Sequence, residues 1–439
     1  MTREGIDRPQ QDLSQDLSDD DAHILDIEST EIFGHTLKLI ILQPAEESLN
    51  IDALRSAVAQ RLPAQPRAMQ RVDTSGPHPR WVAATDFDIA GHVRRRANSE
   101  CVSREDMWRV VSGLMSEHLD RSRPLWTFDV IGPFADGREA IAARIHHAMC
   151  DGIAAVRLLD AVLWDAHPDP PAHSGAQPGV RAAPRRGRLT TALRMPGAVA
   201  RELGHRGSGS PFDLPITSAR ELAFSVAPLI ELKAIGRSRP SHATVNDVLL
   251  AVVAGGLREW LGRRGMTTRQ LRAQIPVSLH HRDEKAGAPG NRDSFLNVDL
   301  PLGVHDPLAG LDTISAETRT RKSHDDAQEL YDLFHALGRV QRFDSAARRF
   351  AGTAREFSVA ISNVPGPSAA IGVAGRRVLN LFSSSEPALH HALRISAISC
   401  AGDIGIGLCV DPQAVPDVAG LAVAIENSYT ELHRAAIGV

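Results

Sequence analysis

Cysteine is scarce in this chain: Cys101, Cys150, Cys400 and Cys409 are scattered over 439 residues, with no CxxC pair. That pattern offers neither a zinc knuckle nor a disulfide framework, and it points to a reducing compartment. Lysine is scarcer still, confined to Lys38, Lys233, Lys285 and Lys322, so arginine carries nearly all the positive charge. A net charge of −4 leaves no global basic field for nucleic acid. The longest apolar run, VLLAVVAGGL at Val248–Leu257, falls well short of the ~20 residues of a membrane span. The opening MTREGIDRPQQDLSQDLSDDD is polar and acidic, without the apolar core of a signal peptide. A soluble or peripheral cytoplasmic protein is expected.

Several catalytic signatures are missing too. No GxSxG elbow stands near a suitable serine, and HExxH, GxGxxG and Walker patterns do not occur. Serine hydrolysis, zinc-dependent hydrolysis and nucleotide-phosphate chemistry are disfavoured, and no metal or resident cofactor is implied.

What is present suffices for two domains. The hydrophobic fraction is 43%, and a chain this long exceeds one ordinary core. Residues 1–20 read as a disordered tail. From 21 to 164, strand-like and helix-like patterns alternate, including the strand TLKLIILQP and the helix LNIDALRSAVAQRL with Asn50 as N-cap. From 165 to 215 the composition turns to Pro, Gly, Ser and Arg, a linker or crossover, with RLTTALRMPGAVARELG a candidate basic amphipathic helix inside it. From 216 to 439 the alternation resumes, with a long helix ending at Gly265, several strands and a final helix. Two such halves fit an α+β protein with mixed sheets.

The seam RIHHAMCDGIAAV, Arg144 to Val156, holds the most chemistry. A buried strand, AIAARIHH, runs into a helix with Ile153, Val156, Leu159 and Leu163 on one face. His146 and His147 stand at the strand end, followed by Asp151 and Gly152. Neutral imidazole accepts a proton near neutral pH. Asp151 can lock the turn by pairing with Arg144 or a more distant arginine, and Gly152 permits a close approach. His280-His281 and His390-His391 are also pairs, yet neither is followed by Asp-Gly. A lone histidine base, with no enzyme nucleophile, suits transfer from an already activated acyl donor to a hydroxyl or amine.

HHxxxDG, here His146-His147-Ala-Met-Cys-Asp151-Gly152, resembles the signature of the acyl-CoA-dependent acyltransferase superfamily. LDRSRPLW (Leu119–Trp126), TVNDVLLA (Thr244–Ala251), IPVSL (Ile275–Leu279) and SNVPGP (Ser362–Pro367) follow the order of the bacterial wax ester synthase/diacylglycerol acyltransferase family. The resemblance runs from about Leu17 to the C-terminus. It implies two chloramphenicol-acetyltransferase-like domains with mixed sheets, flanking helices and an apolar active-site tunnel between them. The implied reactants are a long-chain acyl-CoA and a diacylglycerol or long-chain alcohol acceptor, met at a membrane or lipid-droplet surface by peripheral contact.

Carried over by position, the resemblance makes His147 the general base, with His146 in support. Asp151 holds the loop through an ion pair and Gly152 gives room at the tunnel. Asn246 supports the site; it or Asp247 sits where the helix N-cap belongs. Pro124, Leu125 and Trp126 line or pack beside the tunnel, and SNVPGP forms a rigid corner. The chain departs from the family pattern at Phe212-Asp213-Leu214, at Ser399-Cys400-Ala401-Gly402 and in LFSSSEPALHH. These departures concern the acceptor more than the chemistry. Two other readings follow: the same fold acting on a specialised-metabolite hydroxyl or with a carrier-bound donor, and a non-catalytic lipid-binding relative.

Overall fold

The computed structural model describes residues 14–96, 103–165, 210–278, 293–323 and 357–438. In chain order the elements begin with β1 (Gln15–Asp16), α1 (Asp19–Asp26), β2 (His35–Leu42), α2 (Ile51–Arg61), β3 (Gln70–Asp73), β4 (Arg80–Ala83), α3 (Ile89–His92), β5 (Val93–Arg95) and α4 (Arg104–Met115). Next come β6 (Trp126–Ile131), β7 (Glu139–His146), α5 (Gly152–Val162), β8 (Glu221–Pro228), α6 (Leu229–Ser238), α7 (Val245–Arg263), β9 (Leu271–Ser278), β10 (Asp293–Leu300) and α8 (Pro307–Ser323). The chain closes with β11 (Val359–Val364), β12 (Gly372–Val373), β13 (Arg376–Ser385), β14 (Leu393–Cys400), β15 (Asp403–Val410) and α9 (Val418–Ile437).

Two six-stranded sheets dominate, ordered β12-β13-β2-β7-β6-β5 and β10-β9-β11-β14-β15-β8. Both are mixed, since β5 runs parallel to β6 and β11 runs parallel to both β9 and β14. Strand β2 is buried along its whole length. Its Leu37, Leu39 and Ile41 join the core of the C-terminal half, whereas Ile40 and Leu42 join that of the N-terminal half. Each such side chain contributes about 1.5–3 kcal/mol by leaving water. One strand thus belongs to both cores.

The halves are not separate in sequence, as the 216–439 boundary implies. Strand β13 comes from the C-terminal stretch but pairs with β2 in the first sheet, Ser383 opposite Lys38. Glycines allow it to lie against the second sheet. A Cβ on Gly405 would fall 2.1 Å from the Leu381 carbonyl oxygen, and one on Gly407 would fall 2.1 Å from that of Ser383. No side chain other than hydrogen fits there.

Two further expectations need correction. Within the segment read as a disordered tail, β1 pairs with β4 and α1 begins at Asp19. Ser18 caps that helix and three aspartates occupy its first turn, a favourable arrangement at the positive helix end. Of the expected apolar face of α5, Leu159 and Leu163 are buried, but Ile153 and Val156 are only half-buried, and Ala155, Leu158 and Val162 complete the buried face. The linker lies outside the described residues save its ends, and its candidate basic helix lies outside them entirely. Asp165, counted with the linker, accepts hydrogen bonds from the Ala374 and Gly375 amides and fixes the turn before β13.

Candidate active site

Strand β7 ends at His146, and the tight turn after it brings His147 to Gly34 at the foot of β2. The two imidazoles are held differently. Nδ1 of His146 accepts a hydrogen bond from the Ala148 amide at 3.1 Å, so the ring proton resides on Nε2. That N–H donates to Oε1 of Glu28. Both nitrogens of His146 are therefore committed. Glu28 is itself paired with Arg121, 2.9 Å away, from the LDRSRPLW motif. Burial opposes ionisation of Glu28, but His146 and Arg121 hold its carboxyl below the usual range.

His147 is tied only through its backbone, whose N–H donates to the Gly34 carbonyl at 2.8 Å. Its half-buried imidazole has no hydrogen-bond partner among the described residues. Desolvation first, then the charges of Arg394 and Lys38, push its pKa down to about 3. The ring stays neutral across the physiological range.

Gly34 is the pivot of this arrangement. Its φ of +70° suits glycine, and an added Cβ would fall 2.3 Å from Nε2 of His146. Its amide donates to Oε1 of Glu386 at 2.6 Å, and that of Phe33 to Oε2 at 2.9 Å. Glu386 follows β13 directly, so the borrowed strand positions the histidine loop. Burial raises the Glu386 pKa despite these donors and the nearby Arg220.

Asp151 departs from its expected role. It is the N-cap of α5, accepting from the Ala154 amide at 2.7 Å, and makes no ion pair among the described residues. Arg144 is directed elsewhere: its Nη1 donates to the Leu114 carbonyl and its Nη2 lies 3.6 Å from Asp129. Lys38 is the cation whose charge meets Asp151. Its buried Nζ donates to Ser383 Oγ at 2.8 Å, and burial pulls its pKa down to about 8.

The room at Gly152 is filled by protein, since a Cβ there would sit 3.1 Å from Cγ2 of Val364. The SNVPGP corner thus abuts the start of α5, across the two halves. Leu125 and Trp126 are 0% and 1% exposed, which leaves no surface for a ligand. They act through packing, and through the Leu125 carbonyl, which accepts from the His146 amide. Pro124 precedes them, its carbonyl receiving the Trp126 amide. The N-cap of α7 is Thr244, in a capping box with Asp247, rather than Asn246 or Asp247 itself. Asn246 stands half-buried in the first turn, with no hydrogen bond to the histidine loop.

Strand alternation sets the opposite wall. Leu393, Ile395 and Ala397 of β14 point into the C-terminal core, so Arg394 and Ser396 point the other way, toward the first sheet. Ser362 of β11 donates to Ser396 at 3.2 Å on the same face. This wall is more polar than the expected apolar tunnel. Among the described residues no group of three or more His, Cys, Asp and Glu gathers as a metal site. No described helix is long and apolar enough to cross a membrane.

Comparison with known proteins shows the family of the chain. Residues 17–205 match the wax ester synthase/diacylglycerol acyltransferase catalytic domain, and residues 289–433 match the C-terminal domain of the same family. A Mycobacterium bovis protein named as a diacylglycerol O-acyltransferase, Mb0919, is 30% identical over 372 residues, covering 76% of this chain and 73% of its own. The chain belongs to the wax ester synthase/diacylglycerol acyltransferase family. It is an O-acyltransferase by that membership. Among relatives, tgs1 of Mycobacterium tuberculosis H37Rv, also named as a diacylglycerol O-acyltransferase, is 28% identical over 411 residues, covering 87% of this chain and 88% of its own. The fold matches the wax ester synthase/diacylglycerol acyltransferase of Marinobacter aquaeolei VT8, with TM-score 0.72 and 22% identity over 97% of this chain and 100% of that one. It also matches the first condensation domain of the CDA synthetase, with TM-score 0.56 and 16% identity over 97% and 96%.

Within this family member, the described geometry adds positioning residues that motif reading missed: Glu28, Gly34, Lys38 and Glu386. Only Gly34 carried a local signal, a lone glycine before a strand. The others are separated from the histidines by long stretches of chain, and a single sequence gives no pairing for them.

Proposed function

We propose that the chain transfers a long-chain acyl group from acyl-CoA to the hydroxyl of a diacylglycerol, a long-chain alcohol, or both. The products are triacylglycerol and wax ester, and His147 is the general base. One observation carries this reading: both nitrogens of His146 are engaged, whereas His147 presents a neutral, unpartnered imidazole. In the reaction, His147 takes the proton of the acceptor O–H as the oxygen attacks the thioester carbonyl. The tetrahedral intermediate collapses with loss of CoA thiolate, which recovers the proton from the imidazolium. No metal or organic cofactor takes part; His146 and Asp151 act by holding the loop.

The apolar reactants place the enzyme at the cytoplasmic face of a membrane or on lipid droplets by peripheral contact. Leu214 and Leu389 are 42% and 49% exposed, on segments joined by the Ala392 amide and the Phe212 carbonyl, and each offers apolar surface for such contact. A second reading, acylation of a more polar hydroxyl, is favoured by the serines and Arg394 on the wall facing the first sheet.

The test is CoA release from palmitoyl-CoA by purified protein with diacylglycerol, hexadecanol or no acceptor, alongside His147→Ala. Acceptor-dependent release that falls by about 100-fold or more in the variant supports the proposal. Release unchanged in His147→Ala would remove the base assignment, and release only with polar acceptors would favour the second reading.

A further inference from the structure

Arg394 is a guanidinium without a partner. Strand β14 places it opposite Ala360 of β11, on the face that carries Ser362 and Ser396 and looks toward the first sheet. It makes no hydrogen bond or ion pair among the described residues, and its Nε is sealed from solvent without an acceptor. The carboxylate nearest in charge is Glu386, whose oxygens already receive the Phe33 and Gly34 amides. Among the arginine and lysine charges that push down the His147 pKa, that of Arg394 weighs more than that of Lys38. A guanidinium presents five N–H donors in a fixed fork. Arg394 is half-buried, and sealing its Nε away from water without an acceptor costs free energy, while its two Nη groups stay free for a ligand or a reacting group.

We infer that Arg394 donates hydrogen bonds to the thioester carbonyl oxygen as it becomes an oxyanion. The inference rests on the proposed reading of the same site. A cation beside a neutral histidine disfavours protonation of that histidine alone. Attack moves a proton to His147 and, in the same step, an electron pair to the carbonyl oxygen. The negative charge thus forms beside the guanidinium as the positive charge forms on the ring. In the attack, the acceptor O–C bond forms and the C=O π pair moves to oxygen; in the collapse that pair returns, C–S breaks and the thiolate takes the proton from His147. Arg394 neither gains nor loses a proton. It stabilises the intermediate more than the neutral thioester, which is the condition for raising kcat. Lys38 is less suited, because its Nζ is committed to Ser383 and it stands on the side of Asp151.

Steady-state kinetics with palmitoyl-CoA and the preferred acceptor test this on the full chain, comparing wild type with Arg394→Met, Arg394→Gln and Arg394→Lys. The expected result for Arg394→Met is a kcat about 100- to 1000-fold lower, with KM for both substrates within about threefold of wild type. Arg394→Lys keeps the charge and recovers part of the loss. Binding of a thioether analogue of palmitoyl-CoA, which has no carbonyl at the reacting position, is unchanged in all three. Thermal unfolding checks each variant, and should Arg394→Met fail to fold, Arg394→Lys and Arg394→Gln carry the same comparison. A kcat near wild type in a folded variant overturns the inference. So does a loss confined to KM of the acceptor, which would make Arg394 an anchor for an anionic acceptor. His147→Ala reports separately: if it remains active while Arg394→Met loses kcat, the base reading fails and the role of Arg394 stands.

Discussion

Glu28 and His146 are joined by a hydrogen bond that spans 118 positions of sequence, from the loop after the first helix to the last residue of a central strand. The bond fixes the tautomer of His146 and so the turn on which His147 stands. Glu28→Ala removes it and leaves a buried N–H without an acceptor, at a cost of about 1–3 kcal/mol. Loss of the perch lowers kcat by up to about 100-fold, because small displacements of a catalytic group weigh heavily on rate. Urea unfolding and initial rates measure the two effects. Reduced stability with an unchanged kcat would show that the Glu28 bond does not serve the base.

Gly34→Ala tests the same turn from the other side. The methyl group collides with the His146 ring, and the left-handed backbone is strained for alanine. Activity falls well beyond the stability change of about 1–3 kcal/mol. Equal activity in a folded variant would mean that the loop has slack the geometry does not suggest.

The pH–rate profile follows from His147. Its pKa lies near 3 in the folded protein, held there by burial, Arg394 and Lys38. The base therefore stays unprotonated as pH falls through the usual histidine range near 6.5. The expected profile of kcat/KM is flat from about pH 8 down to about pH 5.5, with no break near 6.5. A break there, absent from protein unfolding over the same range, would contradict the environment assigned to this ring.

Lys38 gives a stability test with a definite sign. Its folded pKa, about 8, lies below the ordinary lysine value of 10.5. Below pH 8 it is protonated in both states, and the folded protein bears the full cost of the buried charge. As pH rises from 8 to 10.5 the folded protein releases the proton first, so stability contributed by this group increases, by about 3 kcal/mol at most. Lys38→Met removes the titration. The difference in unfolding free energy between wild type and variant, measured across that interval, should move in favour of wild type. A constant difference would place the Lys38 pKa near its ordinary value.

The sequence made much of this legible where the signal was local. The strand before His146, the helix after Asp151, the Asn50 cap and the glycine after α7 all follow from periodicity and backbone preference. HHxxxDG with its companion motifs led to the family. Long-range pairings were beyond such reading. Strand β13 alternates buried and exposed residues only from Arg376 to Leu379 and is buried throughout from Leu381 to Ser385, where a serine run falls, so no clean two-residue period marks it. Its partner β2 lies more than 300 positions away. Asp151 was expected to bind an arginine, but the helix start that follows gives its carboxylate a nearer donor in the Ala154 amide. Glu28 sits among other acidic residues, and only the folded chain singles it out.

The borrowed strand also sets a timetable. During synthesis the ribosome releases the HHxxxDG segment long before residues 376–385, so β2 waits with one hydrogen-bonding edge open while more than half of the chain is still to be made. Until β13 and Glu386 arrive, the Gly34 turn lacks its carboxylate clamp. A truncated product ending before β13 would hold every histidine of the motif and still have no assembled base. Competence of the histidine loop is thus reached late in synthesis.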